Sequence, residues 1–206
     1  MLAMTNVDAV VLDLEGVYFE HGDQRFIDFL TGYGHSREKV IQVYKRHNKV
    51  HLHKRGEESS ESFWDHIIRN LELRGETKES LLEKMAEQYE ENLSLIEWTQ
   101  SLRKQGKIIA ACSNTYIDRV EKLQEKFDFL RNFDHTVFSY EPDVRTLKPN
   151  PYIFHILAYR LNLPPERIFM TDDRLDNVHA LDSLGFKSAL YKSVPELIQE
   201  YEELTR

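Results

Sequence analysis

The sequence predicts an α/β fold: a doubly wound parallel sheet core with an α-helical cap inserted after the first strand. Three observations predict it. Short apolar runs of strand length recur along the chain, beginning with Ala9-Val10-Val11-Leu12. Helical patterns alternate with the later runs, and such alternation builds parallel sheets with helices on both faces. Between the first run and the second, the stretch 19–92 carries helical patterns only. The length of 206 residues is enough for one core and one insertion.

The run at 8–12 is apolar without alternation, as a strand buried on both faces requires. Helical patterns follow at about 25–33, 36–51, 60–73 and 78–92, punctuated by Gly34, Gly56 and Gly75. Phe63, Ile67, Ile68 and Leu71 form an apolar stripe of helical period. Further strands are expected at 107–112, 135–138, 167–170 and 187–191. Helices are expected at about 118–126, 150–161, 176–184 and 195–203. Asn150 and Pro151 read as a helix cap and its first residue, and Ser193 with Pro195 suggests a similar start for the last helix. The organisation expected is a core of residues 1–18 and 93–206 and a helical cap of residues 19–92.

Composition removes several function classes. A hydrophobic fraction of 41% with 30% charged residues reads as a soluble globular chain. The net charge of −8 repels a phosphate polyanion, so no nucleic-acid partner is expected. No apolar stretch approaches a membrane span, so no membrane partner is expected either. Residues 1–6 show no basic region followed by an apolar core, hence no visible secretory signal. The one cysteine, Cys112, cannot form an internal disulfide and reads as a small core hydrophobe. A cytoplasmic, reducing compartment is the simplest expectation. Nothing in the sequence fixes an oligomeric state.

The chemistry is concentrated at the ends of the apolar runs. The first run ends in Asp13-Leu14-Glu15-Gly16-Val17. A carboxylate at the C-terminal end of a parallel strand opens onto the crevice where such sheets bind ligands, and Gly16 permits a sharp turn behind it. The run 107–112 ends in Ser113-Asn114-Thr115, Lys148 stands just before Pro149 at a helix start, and the run 167–170 ends in Thr171-Asp172-Asp173-Arg174. One sheet edge therefore gathers a nucleophile candidate, a hydroxyl, a lysine and an acidic pair. Phosphoryl transfer through a carboxylate needs such a set: donors and a cation for the anion, carboxylate oxygens for Mg²⁺.

Over nearly its whole length the chain resembles the haloacid dehalogenase-like superfamily, in the phosphatase subgroup with a helical cap after the first strand. The motifs that carry the resemblance are Asp13-Leu14-Glu15-Gly16-Val17, Ser113-Asn114, Lys148-Pro149 and Asp172-Asp173. The runs Lys148-Pro149-Asn150-Pro151-Tyr152-Ile153-Phe154 and Asp172-Asp173-Arg174-Leu175-Asp176-Asn177 match closely, and Arg55-Gly56 followed by Phe63-Trp64 looks like the subgroup's cap. The resemblance implies that Asp13 attacks phosphorus and becomes an aspartyl phosphate. It implies that Ser113, Asn114 and Lys148 bind the substrate phosphoryl group. Mg²⁺ would be bound by Asp13, the carbonyl of Glu15, and Asp172 or Asp173. Glu15, two residues after the nucleophile, would protonate the leaving oxygen and then activate water. The cap would close over the substrate and exclude water. The function implied is Mg²⁺-dependent hydrolysis of a small phosphorylated metabolite, of the phosphosugar or nucleotide class. A phosphomutase shares these motifs, and a catalytically weak phosphate-binding module is the reading from another class. The acidic pair and Lys148 point to metal and phosphate rather than to dehalogenation.

Two departures qualify the resemblance. The family usually has Asp where this chain has Glu15. The extra methylene adds roughly 1.5 Å of bond, and about 1 Å of misplacement can cost on the order of 100-fold in rate. A slower enzyme than relatives with Asp is therefore expected. The loop Glu141-Pro142-Asp143-Val144-Arg145 also lacks the glycine that the family often has there.

Other polar groups have plainer expected roles. Asp176 and Asn177 read as supporting or helix-capping residues, and Tyr18, Phe19 and His21 as pocket lining or hinge packing. In the charged run 45–55, His47 and His51 lie four apart, a spacing that zinc uses on helices. With no third ligand in view, the run reads as a solvated cap face or as a surface attracting an anionic substrate.

Overall fold

The computed structural model describes residues 7–205, so the reading of residues 1–6 lies outside it. β1 (Ala9–Leu12) is followed by α1 (Gly22–Thr31), α2 (Arg37–Ile41), a π-helical turn (Gln42–Arg46), α3 (Asn48–Lys54), α4 (Ser60–Asn70) and α5 (Lys78–Glu87). Then come α6 (Leu93–Lys104), β2 (Ile108–Ser113), α7 (Ile117–Phe127), β3 (His135–Phe138), α8 (Pro151–Leu161), β4 (Ile168–Asp172), α9 (Leu175–Ser183), β5 (Lys187–Leu190) and α10 (Val194–Thr205). The five strands form one parallel sheet in the order β3-β2-β1-β4-β5. The chain winds outward from β1 through β2 and β3, then returns to the other side of β1 with β4. β1 is thus the switch point, and its C-terminal end faces the crevice.

Both faces of the sheet are covered, which is why its strands are apolar without alternation. Val10 and Leu12 point to the layer of α6, α7 and α10, with Ile109, Ala111 and Phe169. Ala9 and Val11 point to α8 and α9, with Ala110, Val137, Ile168 and Met170. Cys112 is buried in this second layer, and burial pushes its thiol up to about 12, so it is an apolar filler rather than a nucleophile.

The helical insert joins the first layer through an aromatic knot. Phe19 packs edge-on to Tyr18, Tyr89 and Phe129. The two connections to the insert lie side by side: Phe19 bridges Glu91 antiparallel, and the Asn92 amide donates to the Tyr18 carbonyl at 2.9 Å. Tyr18 and Phe19 therefore belong to the joint and not to the pocket.

The structure departs from the sequence-based expectation in three places. The helix expected over 36–51 breaks at His47, whose backbone is extended (φ −67°, ψ 145°) and whose ring caps α3 by accepting from the Lys49 amide. His47 and His51 therefore do not share one helical face, and the zinc spacing dissolves. α6 was not expected at all. It starts immediately after the connection, where Asn92 caps it by accepting from the Leu95 amide, and it buries Leu95, Thr99 and Leu102. The loop at 141–145 turns without glycine by placing Arg145 itself at φ 41°, a conformation that is uncommon outside glycine. Among the described residues no helix is long and apolar enough to cross a membrane.

One buried carboxylate ties the insert to α7. Asp118 Oδ2 accepts from Trp64 Nε1 at 2.8 Å and from Ser60 Oγ at 2.6 Å, with His53 Nε2 at 3.3 Å. Asp118→Ala leaves these donors without an acceptor. At about 1–3 kcal/mol for each buried orphan, the loss expected in urea unfolding is about 3 kcal/mol. Asp118→Asn, which keeps an accepting oxygen, is expected to lose clearly less; equal losses would remove the carboxylate from this role.

Candidate active site

Asp13 continues β1 by one residue, its amide donating to the Thr171 carbonyl at 3.1 Å. Leu12 pairs with Ala111 on one side and Thr171 on the other, so Asp13 lies level with the start of both flanking loops. Its Oδ1 accepts from the Leu14 amide at 2.8 Å and lies 2.9 Å from Lys148 Nζ. The Ser113 hydroxyl hydrogen-bonds the same carboxyl. Burial and the Asp172 charge push Asp13 up, and Lys148 opposes them.

Lys148 is the hub. Its ammonium is buried and donates to the Cys112 carbonyl at 2.8 Å and to Asp172 Oδ2 at 2.5 Å, besides its contact with Asp13. The two carboxylates outweigh burial and hold it well above the usual lysine range. Asn114 fixes this residue from the main chain: its Oδ1 accepts from the Lys148 amide at 2.8 Å and its Nδ2 donates to the Lys148 carbonyl at 3.0 Å. Both ends of the Asn114 amide are thereby engaged.

The acidic pair divides its work. Asp172 is fully buried, and its Oδ1 accepts from Asn177 Nδ2 at 2.8 Å and the Arg174 amide at 3.0 Å. Asp173 is exposed at the mouth of the site. Desolvation of its carboxyl and the charges of Asp13 and Asp172 push it up to about 6. Oxygens of Asp13, Asp172 and Asp173 lie within 4.8 Å of one another. Gly16 makes room for this arrangement: it sits at φ +83°, and a Cβ there would lie 2.6 Å from Asp173 Oδ2.

Glu15 turns toward the insert. Its Oε1 accepts from the Asp23 amide in the first turn of α1 at 2.9 Å, while Oε2 is buried without a partner. Burial, then the Asp23 charge, push Glu15 up to about 7, with Arg119 opposing. Asp23 itself faces Arg119, Tyr44 and Tyr89 with Oδ1 and Lys45 with Oδ2 at 3.2 Å. Against its burial, Arg119 and Lys45 hold its carboxyl well below the usual range.

Most of these groups line one cavity of about 150 Å³, with Lys45 and Lys54 also in its walls. A more open cleft of about 820 Å³ lies beyond Gly16 and Asp173, against His21 and the start of α10. Asp13, Glu15, Ser113, Asn114, Lys148 and Asp173 line the small cavity and Asp172 lies beside it on Lys148, whereas His21 lines the larger cleft. Asp23, Arg119 and Lys45 were not expected there as a group. The only signal for the lysines was the charged run at 45–55, read as a solvated or an anion-attracting face. Asp23 and Arg119 lie 96 positions apart, and no spacing rule links them.

The model of the haloacid dehalogenase-like (HAD) hydrolase family matches residues 7–185. The chain belongs to this family. Solved structures agree on the fold. A HAD family enzyme from Bacteroides thetaiotaomicron, in complex with magnesium and inorganic phosphate, is similar at a TM-score of 0.78 and 17% identity, over 92% of this chain and 96% of that one. A predicted HAD-like hydrolase from Porphyromonas gingivalis gives 0.72 and 20%, over 97% and 98%. A dehalogenase gives 0.65 and 15%, over 88% and 83%. No curated protein matches the sequence. The fold of this HAD-like hydrolase is thus shared by a phosphate-binding enzyme and a dehalogenase, so the choice of reaction rests on the side chains of the site.

Proposed function

We propose that this HAD-like hydrolase is a Mg²⁺-dependent phosphatase that hydrolyses a small phosphorylated metabolite through an aspartyl phosphate on Asp13. The observation that carries the reading is the pairing, in one cavity, of a lysine-clamped carboxylate with a second carboxyl poised near neutrality. An Asp13 oxygen attacks phosphorus as the ester P–O bond breaks. Glu15, protonated through its unpartnered Oε2, delivers the proton to the leaving oxygen. The Glu15 carboxylate so formed takes a proton from water, whose oxygen attacks phosphorus. The Asp13 O–P bond breaks, and inorganic phosphate leaves with Asp13 and Glu15 restored. Lys148 and Ser113 hold phosphoryl oxygens, and Asn114 acts by positioning Lys148.

The acidic trio fits a divalent cation. Its three carboxylates crowd within 4.8 Å, and desolvation together with their mutual repulsion raises Asp173. Asp13, Asp173 and the Glu15 carbonyl, with Asp172 behind them, would hold Mg²⁺, which in the Bacteroides relative accompanies inorganic phosphate. Bound there, it would neutralise phosphoryl charge.

Phosphate release from a panel of phosphorylated metabolites tests the reading. EDTA is expected to reduce release at least about 100-fold and excess Mg²⁺ to restore it. Full release in EDTA would remove the metal. Halide release in place of phosphate would turn the reading to dehalogenation, and binding of phosphate esters without turnover would turn it to a binding module.

A further inference from the structure

The phosphoryl chemistry occupies only one end of the cavity. The opposite wall comes from the insert and α7, and its charges do not cancel. Lys45, Lys54 and Arg119 line it against the carboxylate of Asp23 and the Glu15 carboxyl, which is pushed up to about 7 and so is only partly charged near neutrality. Asp23 is already shared: Arg119 and Lys45 both address it, and both Asp23 and Arg119 are buried. Lys54 lines the cavity with no close ion pair or side-chain hydrogen bond among the described residues; the charges of Asp23 and Glu15 act on it only from farther off.

Lys54 is placed there by its backbone. It is the last residue of α3, and its carbonyl accepts from Ser139 Oγ at 2.6 Å. Ser139 also accepts from the Thr115 amide at 3.1 Å, next to the Ser113 loop. Two residues on, Gly56 sits at φ +66° against the Tyr140 carbonyl, where a Cβ would lie 2.5 Å away. The end of α3 is therefore pressed onto the loops after β2 and β3, and the lysine stem overhangs the cavity. An unpaired ammonium in so confined a place is unfavourable until an anion joins it. Burial accordingly pushes Lys54 down to about 8.

Resting on the phosphatase reading, we propose that Lys54 and Lys45 bind a second anionic group of the substrate. The substrate class is a compact phosphomonoester that bears a carboxylate or a second phosphate a few bonds from the transferred phosphoryl group. The cavity of about 150 Å³ suits such a molecule. A neutral sugar ring would bring no anion to Lys54, which has only the shared Asp23 and the partly charged Glu15 near it, and a nucleoside exceeds a cavity of about 150 Å³.

Calorimetric binding to the full chain in Mg²⁺ buffer tests this with inert probes of similar size. Phosphonoacetate carries the second anion and ethylphosphonate does not; 1,2-ethylenediphosphonate replaces the carboxylate by a second phosphonate. Phosphonoacetate or the diphosphonate is expected to bind about 10- to 100-fold more tightly than ethylphosphonate. Whichever is tighter identifies the second group. In Lys54→Gln the ratio is expected to fall toward one. Equal binding of all three probes by the parent chain, or a ratio unchanged in Lys54→Gln, overturns the subsite. The parent-chain comparison decides even if the variant does not fold. Turnover is scored separately with phosphoglycolate and ethyl phosphate. A binding ratio without any turnover keeps the subsite and removes the phosphatase. Equal binding with turnover of both esters removes the subsite and keeps the phosphatase.

Discussion

Asp13→Asn is expected to lose at least about 10,000-fold in turnover, the scale seen when a catalytic nucleophile is deleted, while the fold survives. Asn keeps the shape and an oxygen able to accept from the Leu14 amide, now at 2.8 Å from Oδ1. What it loses is the negative charge that the proposed attack on phosphorus requires. Lys148 is not stranded, because Asp172 Oδ2 at 2.5 Å and the Cys112 carbonyl at 2.8 Å remain. Asp13 is itself a buried carboxyl pushed up by desolvation, so neutralising it has a small stability effect of either sign. Single-turnover phosphate release, read beside the thermal midpoint, separates the two effects. A variant within a few-fold of the parent would place the nucleophile elsewhere. A collapse of the midpoint would make Asp13 structural.

Part of this site was legible because strand ends are legible. The runs before Asp13, Ser113 and Asp172 are apolar on both faces and stop abruptly at polar residues. Once the strands are parallel neighbours, the pairing of Leu12 with Ala111 and with Thr171 sets those polar residues side by side. Lys148 followed from its place before a proline-started helix. The insert was less legible. Its helices were visible by period, yet the break at His47 follows a π-helical turn that no period announces. The polar wall of Asp23, Tyr44, Tyr89 and Arg119 is assembled from four separate segments by packing alone. Asn114 shows the same limit on a smaller scale. Its position beside Ser113 suggested a phosphate ligand, but its amide is turned to the main chain of Lys148.

Glu15→Gln is expected to cut turnover by about 100-fold or more, since an amide transfers no proton, and to stabilise the fold at the same time. The stability effect has a definite sign. The carboxyl titrates near 4.5 when unfolded and at about 7 in the fold. Below pH 4.5 it is protonated in both states and contributes nothing. Between 4.5 and 7 folding must take up a proton, so the fold weakens as pH rises. Above 7 the whole cost is present, on the order of 3 kcal/mol at most. Gln removes that cost, so its advantage in unfolding free energy should be largest at pH 8 and vanish near pH 4. Glu15→Asp tests the reach of the side chain. The longer arm of Glu15 is used in full, because Oε1 extends to the Asp23 amide at 2.9 Å. Shortening it breaks that anchor, and turnover is expected to fall rather than rise. A gain in Glu15→Asp would mean that the extra methylene impairs proton transfer. If Glu15→Gln left both turnover and the pH dependence of stability unchanged, Glu15 would be neither the proton carrier nor a desolvated carboxyl. Loss of turnover with gain of stability above pH 7 is the combination that a buried acid kept for chemistry should show.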